Sequence, residues 1–164
     1  MDNFEIVFES ERIYFCKLSE LLIDDYLKMI NNPDISRCIS INTRTYTYEE
    51  EQEWVQERLS RNAVSFSMID KETNKFIGNI ELRNVVNDTA EVGICITEDM
   101  QDKHFGTEAM KAIVKYGYEE LNLEGIYLMV FNFNKRAIKC YENAGFVMDG
   151  PGKYDNDYRM VHRR

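Results

Sequence analysis

The stretch Ile94-Cys95-Ile96-Thr97-Glu98-Asp99-Met100-Gln101-Asp102-Lys103-His104-Phe105-Gly106-Thr107-Glu108-Ala109 changes character midway. Its first three residues are apolar and β-favouring, as in a buried strand, and the apolar positions after Gly106 recur at helical spacing. A strand therefore runs into a short polar loop, and Gly106 marks the start of a helix. The N–H groups in the first turn of such a helix have no intrahelical partner and lie at the positive end of its dipole. That geometry binds phosphate. The same residues also read as an ordinary strand-to-helix loop with a glycine for a tight turn.

Working outward from this loop, Ala109, Met110, Ile113, Val114, Gly117, Tyr118 and Leu121 continue one helical side. A strand at Ile126 to Phe131, a helix at Lys135 to Asn143, and strands from Phe146-Val147-Met148 and at Tyr158 to Val161 follow, with Gly145 ending the helix. Upstream, Val64 to Ile69, Phe76 to Leu82 and Ala90 to Ile96 form an antiparallel meander, with turns at Asp70 to Asn74 and at Asn87-Asp88. Two short β-favouring stretches open the chain, Phe4 to Phe8 and Arg12 to Leu18. Ser19 starts a helix carrying Leu21, Leu22, Asp25, Tyr26, Met29 and Ile30, which Asn31-Asn32-Pro33 stops. A polar loop spans 34 to 46. Thr47, three residues before Glu50, then opens a helix with a capping-box pattern, and this helix bears Trp54, Val55, Arg58 and Leu59. No repeat or Pro-rich linker divides the chain, so residues 1–164 read as one α/β domain.

At 164 residues the chain is long enough to bury a sizeable core. Hydrophobic residues make up 44% and charged residues 30%, which excludes the disordered and low-complexity classes. Lys and Arg number 20 against 29 Asp and Glu, a net charge of -9, the wrong sign for gripping a nucleic-acid backbone. Cationic small molecules or basic protein segments suit that field better. Cys16, Cys38, Cys95 and Cys140 stand far apart, without a CxxC pair or a His-containing metal pattern, so no metal is expected. The start of the chain lacks a signal-peptide pattern and no apolar run approaches membrane-spanning length. A cytoplasmic protein with reduced thiols, without membrane or nucleic-acid partners, is expected.

The second informative stretch is Asn134-Lys135-Arg136-Ala137-Ile138-Lys139-Cys140-Tyr141-Glu142-Asn143-Ala144-Gly145-Phe146. Asn134 suits an N-cap, and Ala137, Ile138 and Tyr141 share a helical face. The phenol of Tyr141 reads either as a core aromatic with a satisfied hydroxyl or as a proton donor.

Together the two stretches resemble the GNAT superfamily of N-acetyltransferases. That family's acetyl-CoA loop, Gln/Arg-x-x-Gly-x-Gly/Ala, stands here as Gln101-Asp102-Lys103-His104-Phe105-Gly106, with His104 in place of the first glycine. Its downstream pattern, Asn-x-x-Ala-x-x-x-Tyr-x-x-x-Gly-Phe, is complete as Asn134, Ala137, Tyr141, Gly145 and Phe146. Glu91-Val92-Gly93-Ile94 and the 28 residues from Gly106 to Asn134 are similar to the subgroup of ribosomal-protein N-terminal and polyamine acetyltransferases. The resemblance implies a GNAT fold: α/β, a mixed central sheet with an N-terminal antiparallel meander, and helices on both faces.

The resemblance also implies roles. The strand edge Ile94, Cys95, Ile96 would pair with the amides of the pantetheine arm. The N–H groups of Gln101, Lys103, His104, Phe105, Gly106 and Thr107 would hold the pyrophosphate, with Lys103 adding charge. Asn134 would contact the pantetheine arm, and Lys139 or Arg136 the adenosine phosphate. Tyr141 would protonate the departing thiolate. The acceptor must attack as a neutral amine, so a carboxylate must take its proton, and Glu81 and Glu91 in the meander are the candidates; each also reads as a solvated strand-face carboxylate. A glycine at position 104 would supply positive φ or close approach to phosphate, and His104 is either a hydrogen-bond donor there or an outward side chain. Cys95 and Cys140 read as packing residues and His162 as a surface residue.

The expected activity is transfer of acetyl from acetyl-CoA to a primary amine by direct attack. The acceptor is a polyamine, an aminoglycoside, another small amine or a protein N-terminus. The acidic balance and Asp24, Asp25, Glu49, Glu50, Glu51 and Glu53 favour a cationic one, although such a run also reads as a solvated helix face. An acyl-CoA-binding regulatory module without turnover is the alternative, motivated by His104. A homodimer formed through the late strands is a further expectation.

Overall fold

The computed structural model describes residues 3–164. It has strands β1 (Ile6–Glu9), β2 (Ile13–Lys17), β3 (Val64–Asp70), β4 (Phe76–Val86), β5 (Thr89–Ile96), β6 (Gly125–Phe131), β7 (Val147–Pro151) and β8 (Asp157–Arg163). The helices are α1 (Ile23–Ile30), α2 (Pro33–Ser36), α3 (Tyr48–Ser60), α4 (Phe105–Glu120) and α5 (Lys135–Asn143). The strands hydrogen-bond in the order β1-β2-β3-β4-β5-β6-β8-β7, a mixed sheet in which, among the described residues, only β5 and β6 run parallel. By packing, the chain forms two compact units. One runs through Glu81 and includes Ile94–Phe105; the other comprises Leu82–Gly93 and Gly106–Arg164.

In the first unit, β1 to β3 are antiparallel, with Ile13 facing Asp70 and Lys17 facing Phe66. Helices α1 to α3 cover this sheet. Leu22, Ile23, Tyr26, Met29, Ile35 and Val55 are buried against Cys16, Leu18, Ile69 and Phe76. Burial of aliphatic side chains of this size contributes about 1.5–3 kcal/mol each relative to exposure. One polar chain crosses the core: Ser19 N–H donates to Tyr26 Oη (3.2 Å), which is 2.5 Å from Ser67 Oγ, and Ser67 donates to Asn79 Oδ1 (2.8 Å). Each member has a partner, as burial demands. The capping box is present at α3, with Glu50 N–H donating to Thr47 Oγ1 (3.3 Å) and Thr47 N–H to Glu50 Oε1 (3.4 Å).

In the second unit, α4 buries Ala109, Met110, Ile113 and Val114. A Cβ at Gly117 would lie 3.0 Å from Ile126 Cδ1, so this glycine lets the helix approach β6 closely. Strand β6 pairs with β8 along its whole length, from Gly125 opposite Arg163 to Phe131 opposite Asp157.

Three elements differ from the sequence reading. Ser19 caps a short 3-10 turn, Glu20–Leu22, and α1 begins only at Ile23. Pro33 stops α1 and also opens α2 inside the expected loop, because a missing N–H is harmless at a first helical position and Asn32 caps the turn. Strand β4 runs four residues past Leu82 before the Asn87-Asp88 turn, where both residues have positive φ, as a type I′ hairpin requires.

Gly78 sets the spacing at the end of β5. A Cβ there would lie 2.0 Å from the carbonyl oxygen of Cys95, and Thr97 N–H donates to Ile77 O nearby (2.8 Å). Because the obstructing atom is backbone, Gly78→Ala is expected to destabilise by about 2 kcal/mol or more. Thermal melting reads this as a fall in Tm of at least about 4 °C, and an unchanged Tm would contradict the close approach.

Candidate active site

Strand β5 ends at Ile96 and a 3-10 turn, Glu98–Met100, leads to Gln101. The Gln101 amide donates to Ile96 O (3.0 Å), tying the loop back to the strand it leaves. Asp102 and His104 both take left-handed φ, 62° and 65°, before α4 begins at Phe105. Left-handed residues alternating with others turn successive N–H groups inward, forming a concavity that suits an anion. His104 thus adopts the backbone conformation for which a glycine would be chosen, and its side chain, like those of Asp102 and Lys103, is exposed. Arg12 holds the loop from outside: its guanidinium donates to Lys103 O (3.0 Å) and stacks 4.3 Å over the Phe105 ring. Arg12 was missed from sequence because a residue 91 positions from Lys103, in the turn between β1 and β2, carries no local signal.

At the start of α4, a Cβ on Gly106 would lie 3.0 Å from Cys140 Sγ, and Thr107 Oγ1 is 3.6 Å from the same sulfur. The first turn of α4 is therefore packed against α5 at the residue preceding Tyr141. Burial raises the Cys140 thiol and pushes the Cys95 thiol up to about 12, which suits packing rather than nucleophilic attack. All four cysteines are free thiols.

Helix α5 is capped as expected, with Asn134 Oδ1 accepting from Ala137 N–H (3.3 Å). Its other end is a Schellman motif: Phe146 N–H donates to Tyr141 O and Gly145 N–H to Glu142 O, both at 3.0 Å, with Gly145 at φ +96°. The Tyr-x-x-x-Gly-Phe spacing is thus a helix-ending requirement as well as a family mark. The Tyr141 ring is half-buried, 6.4 Å from that of Phe146, and Lys139 is exposed.

The two candidate carboxylates have different surroundings. Glu91 has both oxygens engaged, one by Arg83 (3.2 Å) and one by Asn84 (3.1 Å). Glu81 accepts from Ser65 Oγ (3.0 Å), and the Arg58 Nε lies 3.8 Å away. Among the described residues that Nε is buried without a hydrogen-bond partner. Cross-strand and strand-to-helix partners such as Arg83 and Arg58 are invisible to a reading of local sequence.

Glu81, Ile94, Cys95, Ile96, Gln101, Lys103, His104 and Phe105 belong to the first unit; Glu91, Gly106, Thr107, Asn134, Lys139 and Tyr141 belong to the second. The second unit has one more feature. Among the described residues the parallel ladder between β5 and β6 has three register pairs, Thr89 with Gly125, Ala90 with Ile126 and Glu91 with Tyr127, and Val92 and Gly93 lie beyond it. From Leu128 to Phe131 β6 pairs with β8. A diphosphate fits the Asp102–His104 loop at a helix start. Pyrophosphate is the part of acetyl-CoA with that chemistry, so the loop residues fit it. Among the described residues no group of three or more His, Cys, Asp or Glu is placed to hold a metal ion, and no helix is long and apolar enough to cross a membrane.

The model of the acetyltransferase (GNAT) domain family matches residues 12–147. The spermidine N(1)-acetyltransferase of Vibrio cholerae is 30% identical over 124 residues, covering 70% of this chain and 72% of that protein. Acetyltransferase PseH of Campylobacter jejuni is 24% identical over 148 residues, covering 90% and 88%. The crystal structure of the Vibrio cholerae spermidine N-acetyltransferase in complex with CoA and spermine superposes with a TM-score of 0.83 at 25% identity, covering 94% of this chain and 96% of that one. With the family model spanning most of its length and the loop and capping motifs in place, the chain belongs to the GNAT acetyltransferase family and is an N-acetyltransferase that uses acetyl-CoA as co-substrate.

Proposed function

We propose that the acceptor is a small polycationic amine of the polyamine type, acetylated at a primary amino group in the cytoplasm. The observation that carries this reading is the 30% identity to a spermidine N(1)-acetyltransferase. The net charge of -9 and the carboxylates of α1 and α3 support it, because a polycation is drawn to such a field. Among those carboxylates Glu50 is tied to Arg44, which holds it below the usual carboxylate range, whereas burial raises Glu51.

Acetyl-CoA supplies the acetyl group as a thioester. The loop from Gln101 to Thr107 offers N–H groups to the pyrophosphate, and Lys103 adds a positive charge there. Ile94, Cys95 and Ile96 at the end of β5 pair with the amides of the pantetheine arm, Asn134 is a further contact to that arm, and Lys139 or Arg136 meets the adenosine phosphate. Glu81 is the base that accepts the ammonium proton, and Glu91, bonded by Arg83 and Asn84, suits a strut between strands. Tyr141 donates its phenolic proton to the departing thiolate. A silent acyl-CoA-binding module is not favoured, since the named relatives are acetyltransferases and Tyr141 is retained.

Two experiments test this reading. Thiol release from acetyl-CoA, measured with spermidine, spermine, aminoglycosides, amino acids and peptides with free N-termini, is expected to be highest with the polyamines; turnover confined to peptides would overturn the acceptor assignment. With the active amine, Tyr141→Phe and Glu81→Gln are each expected to lower kcat by about 10²-fold, and Glu91→Gln by far less. Unchanged kcat in Tyr141→Phe would remove the phenol from the acid role, and equal losses in Glu81→Gln and Glu91→Gln would remove the distinction between the two carboxylates.

A further inference from the structure

His162, on the last strand, lies against the turn that ends α5. A Cβ at Gly145 would lie 3.2 Å from its Cδ2 and 3.3 Å from its Nε2, so the imidazole edge is flush with the turn. Its ring centroid is 5.4 Å from that of Phe146, which is 2% exposed. Phe146 in turn donates its N–H to the carbonyl of Tyr141 and packs against the Tyr141 ring. The imidazole is itself fixed: Tyr118 Oη, from α4, lies 2.6 Å from Nδ1. An unbroken set of contacts thus runs from α4 through the last strand to the helix end that presents Tyr141. Burial lowers the His162 pKa and favours the neutral ring, the form that packs against Phe146 at least desolvation cost.

We infer that His162 is a positioning residue for Tyr141: held by Tyr118, its ring walls the Gly145–Phe146 turn and so fixes where α5 ends and where the phenol stands. Gly145 is then required twice, for its left-handed φ and for the space the imidazole occupies. The inference rests on the acid role proposed for Tyr141, in which a small displacement of the phenol is costly. Misplacement by about 1 Å in an active site can cost on the order of 10²-fold.

The test is a double-mutant cycle between His162→Ala and Tyr141→Phe, with kcat, the KM for acetyl-CoA and thermal melting followed for each variant. His162→Ala is expected to lower kcat at least about tenfold with KM nearly unchanged, and to cause no further loss in the Tyr141→Phe background. His162→Phe, which keeps a ring against Gly145, should restore most of the lost kcat. Tyr118→Phe removes only a hydroxyl and serves the same cycle should His162→Ala not fold. A loss that persists in full alongside Tyr141→Phe would assign His162 a merely structural role and overturn the inference alone. Unchanged kcat in the Tyr141→Phe single variant would overturn the acid role and the inference with it.

Discussion

Among the described residues the parallel ladder between β5 and β6 pairs Thr89 with Gly125, Ala90 with Ile126 and Glu91 with Tyr127, and Val92 and Gly93 lie beyond it. A parallel pair normally continues as far as both strands run, because each unpaired backbone group in a buried sheet costs free energy. Here β6 goes on to Phe131, paired with β8. An unpaired strand edge is the kind of feature that an extended chain carrying amides of its own completes.

The loop after β5 shows the same economy in backbone rather than side-chain chemistry. Asp102 and His104 hold left-handed φ, a state that costs non-glycine residues free energy unless the surroundings enforce it. Arg12 on the Lys103 carbonyl, its stacking over buried Phe105 and the Gln101 amide on Ile96 O are the enforcing contacts. A loop held in this way presents donors already oriented, so little conformational entropy is lost when an anion arrives. In the second unit, Gly106 and Thr107 lie against Cys140, which couples the start of α4 to the helix that bears Tyr141.

Much of this was legible in the sequence because it depends on local rules. The Thr47 to Glu50 capping box, the Asn134 cap, the Asn87-Asp88 turn and the α5 boundaries all follow from the side chains a helix end or hairpin demands, and the structure has each of them. The Tyr141, Gly145 and Phe146 spacing was recognised as a family pattern; its physical content, a Schellman motif, became visible only with the hydrogen bonds. From sequence Pro33 reads as a stop alone, since stop and first-helical-position signals are the same residue seen from two sides. Partners distant in sequence are not legible: Arg12 with Lys103, Arg58 with Glu81, Arg83 with Glu91, and Tyr118 with His162, which reads from sequence as a surface residue. Those contacts set the surroundings of both carboxylates and of the helix end, and they arise from strand register and helix packing.

The most direct measurement is amide hydrogen exchange with and without saturating CoA, resolved by residue. Slowed exchange is expected along Ile94 to Ile96, where the strand edge would meet the pantetheine amides, and from Asp102 to Thr107, where N–H groups would meet the pyrophosphate. Calorimetric evidence of CoA binding with both segments unchanged would contradict the assignment of the β5 strand end and the left-handed loop as the acetyl-CoA site.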